Sequence, residues 1–139
     1  MDNTLFHLLI LTPYGRYFEG DVAFLEVRSD KYNLGILPGH APLVSTLAIS
    51  KMVLKAMGET YNYAIGGGVI NVEKEKVTLI LNSIEREDEI DTARAEEAKT
   101  RAENGLKEAL TNEAIDVNRA KLALMRATNR LEIKSNNKN

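Results

Sequence analysis

The nine residues SIEREDEID, Ser83–Asp91, mark a change of composition that decides how the chain is organised. All eight aromatic residues, all three prolines and eight of the nine glycines precede Arg86. Residues 87–139 contain no aromatic residue, but they contain nine alanines and many Glu, Arg and Lys. Glycine, proline and aromatic residues favour strands and turns, whereas alanine and long charged residues favour helices. We therefore predict two domains of different structural class, at residues 1–86 and 87–139.

Upstream of this boundary, apolar and polar residues alternate in short segments, as is typical of β-strands. In TLFHLLILT, for example, Phe6, Leu8 and Ile10 alternate with His7 and Leu9. Turn sequences such as MGE, GGG and EKEK separate the further predicted strands, which are DVAFLEVR, LVSTLAI, SKMVLKA, TYNYAIG, GVINVE and KVTLILN. Many short strands with tight turns favour an antiparallel β-sandwich or a flattened barrel.

Downstream of the boundary, small and apolar residues recur every three or four positions, as on one face of an α-helix. Two such segments, EDEIDTARAEEAKTRAENGLKEAL and NEAIDVNRAKLALMRATNRLE, are separated by a short break around LTN. Asp88 or Asp91 is predicted to cap the first helix and Asn112 the second. The predicted fold class is thus α+β in two parts, an N-terminal antiparallel β-sandwich followed by a C-terminal antiparallel α-helical hairpin. Because the seam of the hairpin is mostly alanine, we expect it to be only marginally stable alone.

An apolar segment in the first third of the chain, NLGILPGHAPLVSTL, cannot form a helix or one long strand. Gly35, Pro38, Gly39 and Pro42 interrupt it, each proline fixes φ and lacks a donor N–H, and Pro-Gly is a strong turn signal. We therefore predict a rigid corner here.

The composition excludes several classes of protein. With no cysteine, the chain has neither a disulfide framework nor a thiolate zinc site. No apolar run approaches the ~18 residues of a membrane span, and no Lys or Arg precedes Arg16, so we expect no secretory signal. A net charge of −2 provides no basic field for nucleic acid. We expect a soluble cytoplasmic chain that reaches a membrane only through a partner.

Catalytic and metal-binding patterns are scarce. His7 is placed in a predicted strand and His40 in the Pro-Gly turn, with no carboxylate at ligand spacing, so we predict no metal site. IGGGV is not followed by the Lys-Ser/Thr pair of a phosphate loop, and Gly66 to Gly68 are predicted to form a turn or bulge between strands. No nucleophile–base–orienter set is apparent, so no catalytic residue is predicted.

Arginines provide the one candidate ligand site. Five recur at helical spacings of seven and four residues: Arg94 and Arg101 in the first helix, then Arg119, Arg126 and Arg130 in the second. Guanidinium groups bind phosphate oxygens bidentately, so arginines converging from two helices would suit a triphosphate. The alternative is that they pair with surface carboxylates such as Glu97 and bind nothing.

Charge is also distributed unevenly along the hairpin. Residues 87–97 carry six acidic side chains against Arg94 alone, and residues 117–139 carry six basic side chains against Glu132 alone. The opposed signs favour helices lying side by side and leave a basic helix for an acidic partner or a polyphosphate. Two solvated faces without a specific ligand remain the alternative.

Five segments of the chain, taken in order, closely resemble the epsilon-subunit family of bacterial F-type ATP synthases. They are LTPYGRYFEGDV, LGILPGHAPLVSTL, GGGVINVEKEKVTLI, EIDTARA and RATNRLE. The resemblance covers essentially the whole chain. It implies a non-catalytic subunit of the central rotor stalk, whose sandwich binds the gamma subunit and rests on the c-ring at the cytoplasmic face of the plasma membrane. The corner from Lys31 to Pro42 resembles the loop region by which the sandwich of the family meets the rotor. The hairpin is similar to one that switches between a compact and an extended state. When extended, that hairpin contacts the alpha and beta subunits and opposes ATP hydrolysis.

The resemblance also implies a regulatory ATP site. Several members of the family bind ATP on the folded hairpin through a motif of Ile or Leu, Asp, two variable residues, Arg and Ala. Here the residues that match this motif and the further positions of the family site are Ile90, Asp91, Arg94 and Ala95, with Glu85, Arg101, Arg126 and Arg130. ATP would be a regulatory ligand rather than a substrate, and the motif does not specify whether Mg²⁺ accompanies it. The alternative is a rotor subunit with a hairpin that is insensitive to nucleotide.

Overall fold

The computed structural model describes residues 4–136 and divides into two compact units, the first ending at Arg86 and the second beginning at Glu87. This division falls at the position where the composition changes. Within the described residues the first unit contains eight strands, which are β1 (Phe6–Thr12), β2 (Gly15–Val22), β3 (Phe24–Arg28), β4 (Asn33–Ile36), β5 (Leu43–Ala56), β6 (Glu59–Val72), β7 (Lys76–Leu81) and β8 (Ile84–Arg86). The second unit contains a short 3₁₀ helix (Glu87–Glu89), then α1 (Thr92–Ala109) and α2 (Val117–Asn136).

The strands of the first unit pair in the order β2-β1-β7-β6-β5-β3-β4, and β8 pairs with β6. The pairings are antiparallel except that of β1 with β7, which is parallel. The predicted β-sandwich is confirmed, and the parallel pair is an addition to it. Strands that lie side by side and parallel need a long connection, and here β2 to β6 provide it.

Two strands are longer than the sequence pattern predicts. LVSTLAI and SKMVLKA form the single strand β5, and TYNYAIG and GVINVE form β6. The prediction that Gly66 to Gly68 form a turn or bulge between two strands is therefore wrong, since these glycines lie inside the single strand β6. At this point the neighbour of β6 changes from β8, along Tyr63–Ile65, to β7, along Gly68–Val72.

Glycine is required there because other backbones approach β6 closely. The Gly66 amide donates to the Ser83 carbonyl at 3.0 Å, and the Asn82 amide donates to the Gly67 carbonyl at 2.9 Å. A Cβ at Gly68 would overlap the carbonyl oxygen of Ile80. A Cβ at Gly66 would meet the Ser83 side chain of the β7–β8 link, and a Cβ at Gly67 would lie 3.2 Å from the Leu47 carbonyl oxygen of β5. The three glycines therefore let three neighbouring segments pack closely on β6.

The core of the first unit lies between the layers of the sandwich, because alternate side chains of each strand point inward. In β1, for example, Phe6, Leu8 and Ile10 are buried while the intervening residues are half-exposed. The largest fully buried side chains come from strands β1 to β7. They include Leu8, Ile10, Leu25, Ile36, Met52, Leu54, Ile65, Ile70, Leu79 and Leu81. This buried cluster consists of residues of the first unit, and burial of its apolar surface stabilises that unit.

The predicted Pro-Gly turn is confirmed. The His40 amide donates to the Leu37 carbonyl at 3.1 Å, and Gly39 has a φ of 82°, so Pro38 and Gly39 occupy the centre of a tight turn after β4. The preceding β3–β4 connection is ordered by the buried hydroxyl of Ser29, which donates to the Tyr32 carbonyl at 3.0 Å.

In the second unit α1 and α2 pack against each other as the predicted hairpin. Asp91 caps α1, because its carboxylate accepts a hydrogen bond from the Arg94 amide at 3.2 Å. The predicted cap of α2 is wrong: Asn112 accepts from the Ala114 amide at 3.0 Å and so orders the link. Asp116 caps α2 by accepting from the Arg119 amide at 3.1 Å, because the link extends over more residues than LTN. No helix in the described part of the chain is long and apolar enough to cross a membrane.

Candidate ligand site on the helical hairpin

The motif IDTARA lies at the start of α1, and most of its side chains have structural roles. Ile90 is 5% exposed and Ala95 is 3% exposed, so both contribute to packing. The Asp91 carboxylate caps the helix, and Arg94 projects into solvent one turn later. The motif thus fixes where α1 begins. It leaves the Arg94 guanidinium and the second oxygen of the Asp91 carboxylate accessible to a ligand.

The remaining predicted arginines come from both helices. Arg101 is exposed on α1, whereas Arg126 and Arg130 are half-buried on α2 beside the fully buried Ala127. The predicted residue Glu85 lies in β8 of the first unit, in register with Ala64 of β6. The other seven predicted residues belong to the second unit.

A cavity of about 490 Å³ lies between the two helices near their link. Arg101 from α1 and Arg119 from α2 both line it, together with Asp116 of the link. The rest of the lining is small and apolar, namely Ala98, Ala102, Ala114, Ile115, Ala120 and Ala123. It is an open groove rather than an enclosed pocket, and its lining combines small apolar side chains with three charged ones.

Four of the five arginines form no ion pair within residues 4–136, whereas Arg130 already interacts with another group of the protein. There, neither Arg101 nor Arg94 forms a salt bridge with Glu97 or with another carboxylate, and the same holds for Arg119 and Arg126. The side chains of Arg94, Arg101 and Arg119 are exposed and that of Arg126 is half-buried, so phosphate oxygens are able to replace water at the exposed donors.

The sequence pattern missed a polar cluster in the first unit. His7 Nε2 lies 2.8 Å from Glu19 Oε2, and His7 Nδ1 lies 3.2 Å from Asp21 Oδ1. Arg16 donates to the other oxygen of Glu19 at 2.8 Å. The prediction that His7 has no carboxylate nearby is therefore wrong, because antiparallel pairing of β1 with β2 places Asp21 directly opposite His7. A predicted β1–β2 hairpin with an explicit register would have found this contact. Among residues 4–136 no group of three or more His, Asp or Glu side chains is arranged to hold a metal ion.

The cluster favours a charged imidazolium. Hydrogen bonds to Glu19 and then to Asp21 raise the pKa of His7 above its ordinary value of 6.5. The hydrogen bond from His7, followed by that from Arg16, lowers the pKa of Glu19 below 4.5. Both partners are therefore charged over a common pH interval, and each stabilises the charge of the other.

We expect His7→Gln to destabilise the first unit most between about pH 5 and 6.5, and progressively less as the pH rises through the raised pKa of His7. Because folding raises the pKa of His7, its charged form contributes stability below pH 6.5. This contribution is lost as the pH rises through the pKa of His7 in the folded state. Because folding lowers the pKa of Glu19, its charged form contributes stability above pH 4.5. This contribution is lost as the pH falls through the pKa of Glu19 in the folded state. Urea unfolding across this pH range measures the effect. His40→Gln is the matched control, because the ring of His40 faces the Ala41 carbonyl instead. Parallel pH profiles for wild type and His7→Gln would contradict the expectation.

Comparison with known proteins identifies the family. The family model for the β-sandwich domain of the ATP synthase delta/epsilon chain matches residues 5–87, and that for its long α-helix domain matches residues 88–135. The ATP synthase epsilon chain of Bacillus cytotoxicus is 44% identical over 128 residues, which are 92% of this chain and 95% of that relative. The epsilon chain of Halalkalibacterium halodurans is 41% identical over 127 residues, which are 91% of this chain and 95% of that relative.

Solved structures with the same fold come from more distant organisms. A chain of the Euglena gracilis mitochondrial ATP synthase superposes with a TM-score of 0.79 at 22% identity, covering 93% of this chain and 80% of that one. A chain of the Tetrahymena thermophila mitochondrial ATP synthase central stalk and c-ring gives a TM-score of 0.56 at 14% identity, covering 94% and 93%. At these identities the likeness supports the fold alone. Together, the two matched domain models and the bacterial relatives show that the chain belongs to the delta/epsilon chain family of ATP synthases.

Proposed function

We propose that this chain is a non-catalytic subunit of the central stalk of a bacterial F-type ATP synthase. The observation that carries this proposal is that both domain models match in order and that epsilon chains align over 92% of the chain. In this role the β-sandwich binds the gamma subunit and the c-ring. The chain is then peripheral at the cytoplasmic face of the plasma membrane, held there through the complex. It couples ion flow to ATP synthesis by rotating with the stalk.

The helical hairpin is proposed to be the regulatory part. In an extended state it would contact the alpha and beta subunits and inhibit ATP hydrolysis, and its basic second helix would face acidic segments. The packing of the hairpin supports a mobile element. Its buried apolar side chains are few and mostly small, namely Ile90, Ala95, Ala102, Ala127 and Ile133. Burial of so little surface leaves the compact state easily opened by a competing partner.

ATP is proposed to hold the hairpin in its compact state. Arg94 and Arg101 project from α1, and Arg126 and Arg130 from α2, so a triphosphate that contacts both sets links the helices. Asp91, and Glu85 by resemblance to the family, would accept hydrogen bonds from the adenine or ribose. A ligand that binds only the compact hairpin stabilises it by mass action, by about 2.7 kcal/mol at a hundred times its Kd.

Isothermal titration calorimetry of the full-length subunit with ATP tests this proposal. We expect Arg126→Ala to weaken binding by about tenfold or more, because a hydrogen bond to a charged group is worth roughly 1.5–3 kcal/mol. Wild type should also gain thermal stability in millimolar ATP, and the Arg126→Ala, Arg130→Ala double variant should not. Arg28→Ala, an exposed arginine of β3, is the matched control. Identical melting of wild type and double variant in ATP would contradict the proposal.

A hairpin that is insensitive to nucleotide is the second candidate, and one observation favours it. The burial of Ile90 and Ala95 and the capping by Asp91 explain much of the motif without any ligand. In that case the hairpin would be a mechanical element, and neither titration nor melting would respond to ATP.

A further inference from the structure

We propose that Asn104 is a modification site, at which spontaneous deamidation follows local opening of α1. Asn104 and Gly105 form the one Asn-Gly pair in the sequence. The co-reactant is water, and the product carries a carboxylate in place of the amide. The site includes neither the IDTARA motif nor the arginines of the hairpin, and its chemistry does not depend on ATP binding.

The reaction needs only the two neighbouring residues and water. The Gly105 amide nitrogen attacks Cγ of Asn104, and a glycine favours this attack because it has no side chain to shield its nitrogen. A new N–C bond closes a cyclic succinimide. The bond from Cγ to the side-chain nitrogen breaks, that nitrogen takes up the proton of the Gly105 amide, and ammonia leaves. Water then opens the ring at either carbonyl and gives aspartate or isoaspartate.

The closed helix prevents this reaction. Asn104 and Gly105 lie in the interior of α1. In an α-helix each amide donates to the carbonyl four residues earlier, so the Gly105 nitrogen is held toward Arg101 and away from the side chain that it would attack. Ring closure also needs a ψ at Asn104 outside the helical range. Because the Asn104 side chain is exposed, water reaches it freely, and opening of the helix is the step that limits the reaction.

The structure weakens α1 at the position of the reactive pair. Glycine is among the least favourable residues in a helix interior because it loses the most backbone freedom on folding. Packing does not require it here, since a Cβ at Gly105 would lie 3.7 Å from the Ala120 Cβ of α2, which is an ordinary contact distance. The nearby buried residue of α1 is Ala102, whose small side chain contributes little apolar burial. This part of the helix therefore opens easily.

The two products differ in their effect on the hairpin. In isoaspartate the main chain passes through the side-chain carbons, which adds a methylene to the backbone and breaks the periodicity of α1. Aspartate changes the charge alone, and its carboxylate lies one turn from two basic side chains and one acidic side chain, which are Arg101, Lys107 and Glu108. We therefore expect isoaspartate at this position to lower the helix content, and Asn104→Asp to leave it nearly unchanged.

Peptide mass spectrometry of the full-length subunit, incubated in mildly alkaline buffer with and without urea, tests the inference. We expect conversion of Asn104 to be at least about tenfold slower in the native chain than in urea, because the native rate scales with the open fraction of α1. Asn118 of α2 is the internal control. Its conversion should be much slower than that of Asn104 in urea, because the long side chain of Arg119 follows it.

Thr100→Gly and Thr100→Ala form a matched pair at an exposed position of α1. From the difference in helix propensity, native conversion of Asn104 should be about four- to fivefold faster in the glycine variant, with equal rates in urea. Equal native rates in the pair, or equal rates for wild type with and without urea, would overturn the control by helix opening. No conversion of Asn104 in either condition would overturn the site. Circular dichroism of the purified isoaspartate form tests the effect on α1, and an unchanged helix content would contradict it.

Discussion

Replacing Gly68 by alanine is expected to lower the free energy of unfolding of the β-sandwich by about 3 kcal/mol or more. A Cβ at this position would overlap the Ile80 carbonyl oxygen and lie 2.9 Å from the Leu81 Cα, and both atoms belong to the backbone of β7. Because β7 is a central strand that pairs with β6 and β1, it cannot move away without breaking its hydrogen bonds. For a unit of this size the loss corresponds to a fall in Tm on the order of 15 °C. Thermal unfolding followed by circular dichroism measures it.

Gly39→Ala is the control, because it measures the cost of backbone strain without a steric clash. Gly39 has a φ of +82°, but a Cβ there meets nothing within 4 Å. We expect it to cost only about 1 kcal/mol, which is the usual price of a left-handed conformation for a residue with a side chain. If the two variants were destabilised equally, strain rather than close approach of β7 would explain the requirement for glycine at Gly68.

The class of each part of the chain could be predicted because local patterns determine it. Alternation in β1 and the three-and-four spacing of alanines in α1 depend on neighbouring residues alone, and both were confirmed. The cap at Asp91 follows from the same local rule. The turn at Pro38 and Gly39 could be predicted because proline and glycine restrict the backbone wherever they occur.

Features that depend on distant parts of the chain could not be predicted in this way. Gly66 to Gly68 have the composition of a turn, and only the approach of β7 and the β7–β8 link shows why they lie in a strand. The partners of His7 come from β2, and their position depends on the register of pairing. The cavity of the hairpin likewise depends on how α2 faces α1, which also brings Arg119 to Arg101.

The two units also differ in what stabilises them. The sandwich buries many large apolar side chains, such as Leu8, Met52 and Leu79, in a core of its own. The hairpin buries mainly alanines, at roughly 0.8 kcal/mol per buried CH₂, and its most buried large side chains are Ile90 and Ile133. One hydrogen bond, from Lys134 Nζ to the Glu87 carbonyl at 3.1 Å, links the end of α2 to the start of the second unit. Under the proposed function, a ligand worth a few kcal/mol is therefore expected to shift the state of the hairpin, while the sandwich keeps its own core.

A chain that ends at Arg86 is accordingly expected to fold and to keep the stalk assembled. Every residue of the buried core cluster lies between Phe6 and Leu81, so the truncation removes none of it. The truncated chain should show β-type circular dichroism and one cooperative unfolding transition near that of the sandwich in the full-length protein. An unfolded chain would show that residues 87–139 contribute to folding of the sandwich, which the separate core does not predict.

In the assembled ATP synthase, the same truncation is expected to raise ATP hydrolysis severalfold while leaving gamma bound. The reason lies in the proposed function, in which the hairpin inhibits by contacting the alpha and beta subunits and the sandwich alone binds the stalk. ATP hydrolysis by the purified complex, measured at low ATP where an unliganded hairpin would be extended, gives the largest difference from wild type. Arg126→Ala in the full-length chain provides the opposite control at millimolar ATP, because loss of ATP binding would there favour the extended hairpin and lower hydrolysis relative to wild type. If truncation released gamma instead of raising hydrolysis, the coupling function would belong to the hairpin, and the division of roles between the two units would be wrong.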